Sequence, residues 1–219
     1  MKRSVATVSV SGTLPEKLRA IAAAGFDGVE IFDNDLVYYP GSPVKSASCV
    51  KPSGWKSCCF NLFATSKAAR DRLAQNLVRA ARKFEVMQQL GCQRMLVCSN
   101  VSPDCSDDFA TQVSDLTALA ELAAEHGITL GYEALAWGRH VSLWRDAWAR
   151  VKAVNHPALG IVLDSFHILS RGDSLDGLEA GPDGENCVRT AGRTQPALNM
   201  DVLSWSRHFP LCSRPGESI

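Results

Sequence analysis

The stretch DDFATQVSDLTALAELAAEHGITLGYEAL (107–135) decides the fold class of this chain. Residues 107–127 have the apolar stripe of an amphipathic helix, and Gly127 stands where that helix should end. The apolar segment ITLGYEAL (128–135) follows directly and is typical of a strand. A helix, a glycine and a buried strand in this order form one repeating unit of a parallel α/β sheet.

The same unit recurs along the chain at intervals of about 30 residues. Further strands are predicted within 4–10, 27–32, 92–100 and 156–167, and further helices within 11–26, 68–91 and 142–155. Unpatterned segments leave space for two or three more strands. We therefore predict an α/β fold, an incomplete (β/α)8 barrel. The chain has 219 residues, whereas a complete barrel of this kind typically has about 250. A doubly wound open sheet is the alternative. No glycine-rich phosphate loop follows the first strand, which argues against dinucleotide binding.

The whole chain, 1–219, is expected to be a single barrel domain with irregular segments at 44–67, 181–196 and 210–219. Net formal charge is zero, which does not suggest a nucleic-acid-binding surface. No apolar run has the length of a membrane span or a signal peptide, so we expect a cytoplasmic protein that binds a small molecule. The eight cysteines lack the spacing of a zinc knuckle.

Three acidic residues stand at or near the ends of predicted strands: Glu30, Glu133 and Asp164. In a βα barrel these ends converge on one mouth, and a buried carboxylate there needs a partner or a cation. Oxygen ligands of this type suit Mg²⁺, Mn²⁺ or a similar divalent ion. A lone acid of this kind more often caps a helix or pairs with an arginine. Because Glu133 and Asp164 occupy corresponding positions in consecutive units, we predict that both bind a metal.

Donor and cationic groups follow the same predicted strands. His167 comes three residues after Asp164 and is a candidate general base, with a hydrogen-bonded loop histidine as the alternative. The sequences GRH (138–140) and SRH (206–208) suit a carboxylate-bearing substrate, although ordinary loop solvation is the better explanation of each one alone. The predicted substrate-binding residues are Glu30, Arg139, His140, Ser206 and Arg207.

Several blocks of the chain resemble bacterial 3-dehydroshikimate dehydratases, a branch of the sugar phosphate isomerase/epimerase superfamily with a xylose isomerase-like barrel. The resemblance is carried by ATVSVSGTLPEKLRAIAAAGFDGVEIFDNDL (6–36), LVCSNVSP (96–103), GYEALAWGRHV (131–141), LGIVLDSFHILSRGD (159–173) and MDVLSWSRHF (200–209). Some family members carry a C-terminal domain like hydroxyphenylpyruvate dioxygenase, which this chain is too short to contain.

The resemblance implies a divalent ion, Mg²⁺, Mn²⁺ or Co²⁺, held by four side chains. Glu133 and Asp164 match two of these ligands, and His167 matches a catalytic histidine. The implied reaction is the loss of water from 3-dehydroshikimate to give protocatechuate, with His167 removing the proton alpha to the ketone. The family's third ligand is a Gln in a strand like VQLAD, where this chain has CVRTAGRTQP (187–196). The fourth, a Glu, would lie beyond Ile219.

The genetic code suggests an origin for these local departures. Permitted codons for Pro43 to Ala68, read from the third base of the first codon, can encode REIRQLCKAFGVEILLFQPFRDFEG, a family-like helix and strand. Shifted reading from Gly184 permits EKIVFVQLAE, and from Pro210 it permits RCVPGQG. We therefore expect a frameshifted and truncated dehydratase, impaired as written. The alternatives are a sugar phosphate isomerase or epimerase, or a non-catalytic remnant.

Overall fold

The structure is a computed structural model that describes residues 3–42, 57–63, 70–174, 176–177 and 187–190. Seven strands form one sheet in chain order, and every neighbouring pair is parallel. The strands are β1 (Ser4–Ala6), β2 (Gly28–Ile31), β3 (Ser57–Phe63), β4 (Arg94–Cys98), β5 (Thr129–Glu133), β6 (Leu159–Asp164) and β7 (Cys187–Thr190). The helices are α1 (Leu14–Ala23), α2 (Asp33–Val37), α3 (Arg70–Leu90), α4 (Phe109–Glu125), α5 (Trp144–Val154) and α6 (Ser165–Ser170).

The two faces of the sheet carry separate hydrophobic cores. The larger core joins helix residues such as Phe84 to strand residues such as Met95 and Leu130, so it lies between the helices and the sheet. The smaller core consists of four buried strand and loop residues with Trp137 against them: Leu96, Cys98, Leu135 and Val162. Side chains alternate across a strand, so this second cluster occupies the opposite, inner face.

Consecutive strands with helices on one face form a βα barrel wall, which confirms the predicted α/β fold. A doubly wound sheet would reverse its strand order at a switch point, and this sheet does not. Among the described residues, β1 and β7 each pair with a single neighbour, so the barrel is incomplete there. No helix in this described portion is long and apolar enough to cross a membrane.

Local sequence signals explain where the helices begin and end. At the start of α1, the Thr13 backbone N–H and its hydroxyl both donate to Glu16 Oε2, at 2.8 and 2.7 Å. After α3 and α4, Gly91 and Gly127 adopt φ values of 74° and 67°, which favour glycine because it lacks a Cβ. These turns place β4 and β5 directly after their helices, as predicted.

The strand predicted over 4–10 is wrong beyond Ala6. Residues Thr7–Ser9 form a 3-10 turn, and the fully buried Thr7 uses Oγ1 to accept a hydrogen bond from Phe32 N at 3.0 Å. The alternating pattern therefore reflects a short strand followed by a turn whose Thr7 packs beside the end of β2. Local periodicity does not distinguish these two cases.

The expectation of irregular structure is wrong for parts of two segments. Ser57–Phe63, inside 44–67, forms β3 between β2 and β4, and Cys187–Thr190, inside 181–196, pairs with β6. Unpaired backbone groups of the neighbouring strands favour a strand at each place, even where its residues are poor strand formers. The remaining parts of both segments, and 210–219, lie outside the described residues.

Candidate metal and catalytic site

Glu133, Asp164 and His167 meet at the carboxyl ends of two neighbouring strands. Glu133 is the last residue of β5, Asp164 is the last of β6, and His167 lies in α6 directly after it. One potential ligand atom from each residue lies within 4.8 Å of the other two. Glu133 and His167 are only 5% and 8% exposed. Asp164 is half-buried, so the predicted metal ligands and catalytic histidine share one largely buried cluster.

Strand register directs this cluster to the inner face of the sheet. Glu133 pairs with Cys98 on β4 and with Val162 on β6, and both of these side chains belong to the inner core. Asp164 comes two residues after Val162 and therefore shares its face. Deeper in the same face, Gly131 is opposite Gly160, and a Cβ on Gly131 would lie 2.6 Å from Val162 Cγ2. Glycine thus leaves the space that Val162 fills below the acids.

Burial raises the pKa values of all three acidic residues, and the charge of Asp164 adds to this at Glu133 and Glu30. Burial, followed by the charges of Asp164 and Glu30, raises the pKa of Glu133 to about 8, and a hydrogen bond from Cys98 opposes this shift. Burial also raises the pKa of Asp164, and burial together with the Asp164 charge raises that of Glu30. Since β2 and β6 are four strands apart, the interaction of Glu30 with Asp164 is consistent with a curled sheet.

A divalent cation fits this set of donors. Carboxylate oxygens are the ligands preferred by Mg²⁺ and Mn²⁺, and a cation would offset the mutual repulsion of the three acids. Cys98 Sγ lies 3.5 Å from Glu133 Oε2 and donates to it, so one oxygen of that carboxylate is already oriented. Phe166 N donates to Asp164 Oδ1 at 2.7 Å, which orients the second ligand in the same way.

His167 differs from the two acids because its ring is already engaged. Ala136 N donates to His167 Nδ1 at 3.2 Å, and burial lowers the pKa of the imidazole to about 4. A neutral ring that accepts at Nδ1 carries its proton on Nε2. That nitrogen lies 3.9 Å from Glu133 Oε2. In this hydrogen-bond pattern His167 presents Nε2–H, a hydrogen-bond donor, to the carboxylates.

Aromatic rings hold the imidazole in place. The centroid of the Trp137 ring is 4.9 Å from that of His167, and the centroid of Phe166 is 5.3 Å away, both in edge-to-face geometry. Trp137 also packs against the inner core, so its ring links that core to the imidazole.

The structure describes three of the five predicted substrate-binding residues, Glu30, Arg139 and His140. Glu30 is electrostatically coupled to the acidic cluster. Arg139 is exposed, and its backbone N–H donates to Asn100 O at 2.8 Å, in the loop after β4. His140 is half-buried in the loop after β5. Ser206 and Arg207 lie outside the described residues. Their predicted roles remain predictions.

Sequence reasoning missed two residues that support the site, Cys98 and Ser99. Both were counted only as part of strand 92–100. The two residues could have been recognised by their position at the carboxyl end of β4, the strand next to β5. There a thiol and a hydroxyl lie beside the end of the strand that carries Glu133. Without the register of β4 against β5, that signal could not be recognised.

Parallel strands in chain order, with paired carboxylates at their carboxyl ends, define a βα barrel with a candidate metal site. The chain belongs to the xylose isomerase-like TIM barrel family, whose profile matches residues 18–211.

Within this family the chain is similar to two Pseudomonas proteins named 3-dehydroshikimate dehydratase. It is 50% identical to the one from Pseudomonas putida over 99% of its own length, and 50% identical to the one from Pseudomonas aeruginosa over 95%. The chain spans only 34% and 33% of those relatives. A solved xylose isomerase-like TIM barrel/4-hydroxyphenylpyruvate dioxygenase fusion protein, also 50% identical, superimposes with a TM-score of 0.88 over 95% of this chain and 33% of that one.

Proposed function

We propose that this chain is the barrel of a metal-dependent 3-dehydroshikimate dehydratase, a hydro-lyase that forms protocatechuate. The observation that carries the proposal is the buried cluster of Glu133, Asp164 and His167, in a chain half identical to proteins of that name. The relatives are about three times longer, so the activity of this barrel by itself is part of the proposal.

Glu133 and Asp164 would hold the ion, with Mn²⁺, Mg²⁺ or Co²⁺ as candidates. A bound ion supplies Lewis-acid polarisation of the substrate ketone. Glu30, whose pKa is raised in part by the charge of Asp164, would bind a substrate hydroxyl. The substrate carboxylate would be bound by Arg139, His140, Ser206 and Arg207. Burial of the cluster would exclude bulk water from the reacting atoms.

His167 Nε2 is the atom that would exchange a proton with the substrate. In the tautomer that the Ala136 N–H favours, Nε2 carries the proton and can donate a hydrogen bond to the substrate hydroxyl. Removal of the proton alpha to the ketone would need a proton on Nδ1 and a free Nε2. Two N–H groups would then face each other at Ala136, so the base role would require the ring to change tautomer and the Ala136 N–H to shift. His167 would take up the alpha proton, become an imidazolium and pass that proton to the departing hydroxyl, which leaves as water.

Activity of the chain as written is expected to be impaired. The family pattern places a Gln ligand in the seventh strand, and β7 here reads CVRT. Removal of one ligand weakens both metal affinity and the orientation of the substrate. Low turnover would thus agree with the proposal, whereas no metal binding at all would favour the non-catalytic remnant.

The proposal is tested by incubating the purified chain with 3-dehydroshikimate and MnCl2, MgCl2 or CoCl2, and following the ultraviolet absorbance of protocatechuate. Turnover that needs metal and is lost in Glu133→Gln and His167→Asn supports a dehydratase. His156→Asn is the matched control, since His156 Nδ1 also accepts a backbone N–H, from Ala158 at 3.1 Å, but outside the acidic cluster. Metal-dependent conversion of ketose phosphates without dehydration would favour the isomerase alternative.

A further inference from the structure

We propose that Ser99 is a positioning residue that holds His167 in its observed orientation, acting through the turn 135–138. Ser99 is given no role by the proposed function, and its own hydrogen bonds are to Glu133 and Leu135. The inference rests on the proposed function only in making His167 the group whose position matters. The contacts that carry it form a continuous chain from β4 to α6.

The first link is between Ser99 and the end of β5. Ser99 is 0% exposed and directly follows β4. Its backbone N–H donates to Glu133 O at 2.8 Å, and its Oγ accepts from Leu135 N at 3.0 Å. A buried backbone N–H without an acceptor is costly, so the hydroxyl fixes the path of the chain just after the metal ligand Glu133.

The second link is the close approach of Gly138 to Ser99. Gly138 N donates to Leu135 O at 2.8 Å and closes the turn. A Cβ on Gly138 would lie 2.5 Å from Ser99 Oγ and 2.1 Å from Val141 O. Only glycine fits at this distance without displacement, so the turn is packed directly against the serine hydroxyl.

The third link is between this turn and the imidazole. The turn directs Ala136 N to His167 Nδ1 at 3.2 Å and places the Trp137 ring edge-to-face with the imidazole. The Ala136 amide selects the tautomer with the proton on Nε2. Ser99 thereby acts on His167 through Leu135 and Ala136.

The inference predicts that two changes away from His167 will disturb its ring. Ser99→Ala removes the acceptor for Leu135 N–H and tests the serine directly. Gly138→Ala displaces the turn from both Val141 O and Ser99 Oγ, so it tests the link between the turn and His167. Both should let the imidazole lose its single tautomer. Ser106→Ala is the matched control, because Ser106 Oγ also accepts a backbone N–H, from Asp108 at 3.2 Å, in the loop before α4.

The experiment is nitrogen NMR of the full chain labelled with ¹⁵N only at its five histidines. His167→Asn identifies the His167 signals. The wild type should show protonated Nε2 and unprotonated Nδ1 at His167. Ser99→Ala and Gly138→Ala should give averaged or doubled His167 signals, while the signals of His126 and His156 stay unchanged. Ser106→Ala should alter none of them.

Unchanged His167 signals in folded Ser99→Ala and Gly138→Ala would overturn the inference. If Ser99→Ala does not fold, Ser99→Cys retains a weak acceptor of similar size and should give a smaller change in the same signals. Unaltered His167 signals in folded Ser99→Cys and Gly138→Ala would then overturn it. This readout does not depend on turnover, so it separates failure of the inference from failure of the dehydratase proposal.

Where turnover is measurable, kcat of Ser99→Ala should fall by roughly 100-fold, the loss expected from a misplaced catalytic group. Its Mn²⁺ affinity should match that of the wild type, because neither carboxylate ligand has been changed. Equal losses of Mn²⁺ affinity and kcat would show general disruption of the site and would contradict a specific effect on His167.

Discussion

His167 Nε2 lies 3.9 Å from Glu133 Oε2, where the end of β5 meets the first turns of α6. This separation is too wide for a direct hydrogen bond and leaves room for a bridging atom of water or substrate. The same oxygen accepts from the thiol of Cys98 at 3.5 Å. The Cys98 thiol therefore orients the Glu133 carboxylate, and His167 makes no direct hydrogen bond to that oxygen. Because of this, the effects of Glu133 and His167 on metal binding can be measured separately.

Metal affinity should depend on the two acids and not on the histidine. Glu133→Gln and Asp164→Asn should each weaken Mn²⁺ binding by at least about tenfold. Loss of a residue that only hydrogen-bonds to a metal ligand already lowers metal affinity by about 10–100-fold. His167→Asn should change the affinity much less. Isothermal titration calorimetry measures all three, with Glu125→Gln and Asp107→Asn as controls at exposed positions. A large loss of affinity in His167→Asn alone would make the imidazole a ligand.

The metal-free chain should lose stability as pH rises from about 4.5 to about 8. The pKa of Glu133 is about 8 in the folded chain, against an ordinary value of 4.5, so the folded state retains a proton that the unfolded state has released. The free energy of unfolding then falls by about 1.4 kcal/mol per pH unit for this one group. Urea unfolding at several pH values measures the slope.

Glu133→Gln should remove most of that slope, whereas Glu125→Gln should leave it unchanged. Saturating Mn²⁺ should reverse it, because binding requires the ionised carboxylate and therefore strengthens as pH rises. The depressed pKa of His167 acts in the other direction: its contribution to stability is lost as pH falls from 6.5 to about 4. A metal-free slope identical in wild type and Glu133→Gln would contradict the buried, protonated state of Glu133.

Filling the space above Gly131 should destabilise the inner core. A Cβ at this position would lie 2.6 Å from Val162 Cγ2, and overpacking of this kind costs about 1–3 kcal/mol. Val162→Ala should relieve the clash, so Gly131→Ala should cost less in that background. A double-mutant cycle of urea unfolding gives the coupling energy. Simple additivity of the two changes would show that Val162 can move aside without cost.

The gene should reveal the origin of the segment 44–68. We predict codons that, in the shifted frame, encode REIRQLCKAFGVEILLFQPFRDFEG, and sequencing of the gene decides this directly. A chain carrying that segment should have a higher urea midpoint, because it supplies an amphipathic helix and a strand rich in β-formers. Codons incompatible with the shifted reading would exclude a frameshift. An unchanged midpoint would show that the segment as written serves the barrel equally well.

The parallel order of βα units could be predicted from the sequence alone. So could the candidate roles of Glu133 and Asp164 as metal ligands and of His167 as the catalytic histidine. The periodic spacing of apolar residues, the glycines that end helices and the acids at strand ends are local features of the sequence. They can therefore be recognised without knowledge of tertiary contacts. Local pattern failed where the environment outweighed it: Thr7 turns to meet Phe32, and Ser57–Phe63 forms a strand between two parallel neighbours.

The hydrogen bonds and charge interactions among the site residues became apparent only from the tertiary structure. The bonds from Ala136 to His167 and from Leu135 to Ser99 join residues 31 and 36 positions apart, as the register of β4, β5 and β6 dictates. These contacts favour one tautomer of His167, whereas the Cys98 thiol orients the Glu133 carboxylate. The physical reason is that a sequence specifies which groups are present, whereas protonation and hydrogen bonding depend on the distances that folding imposes.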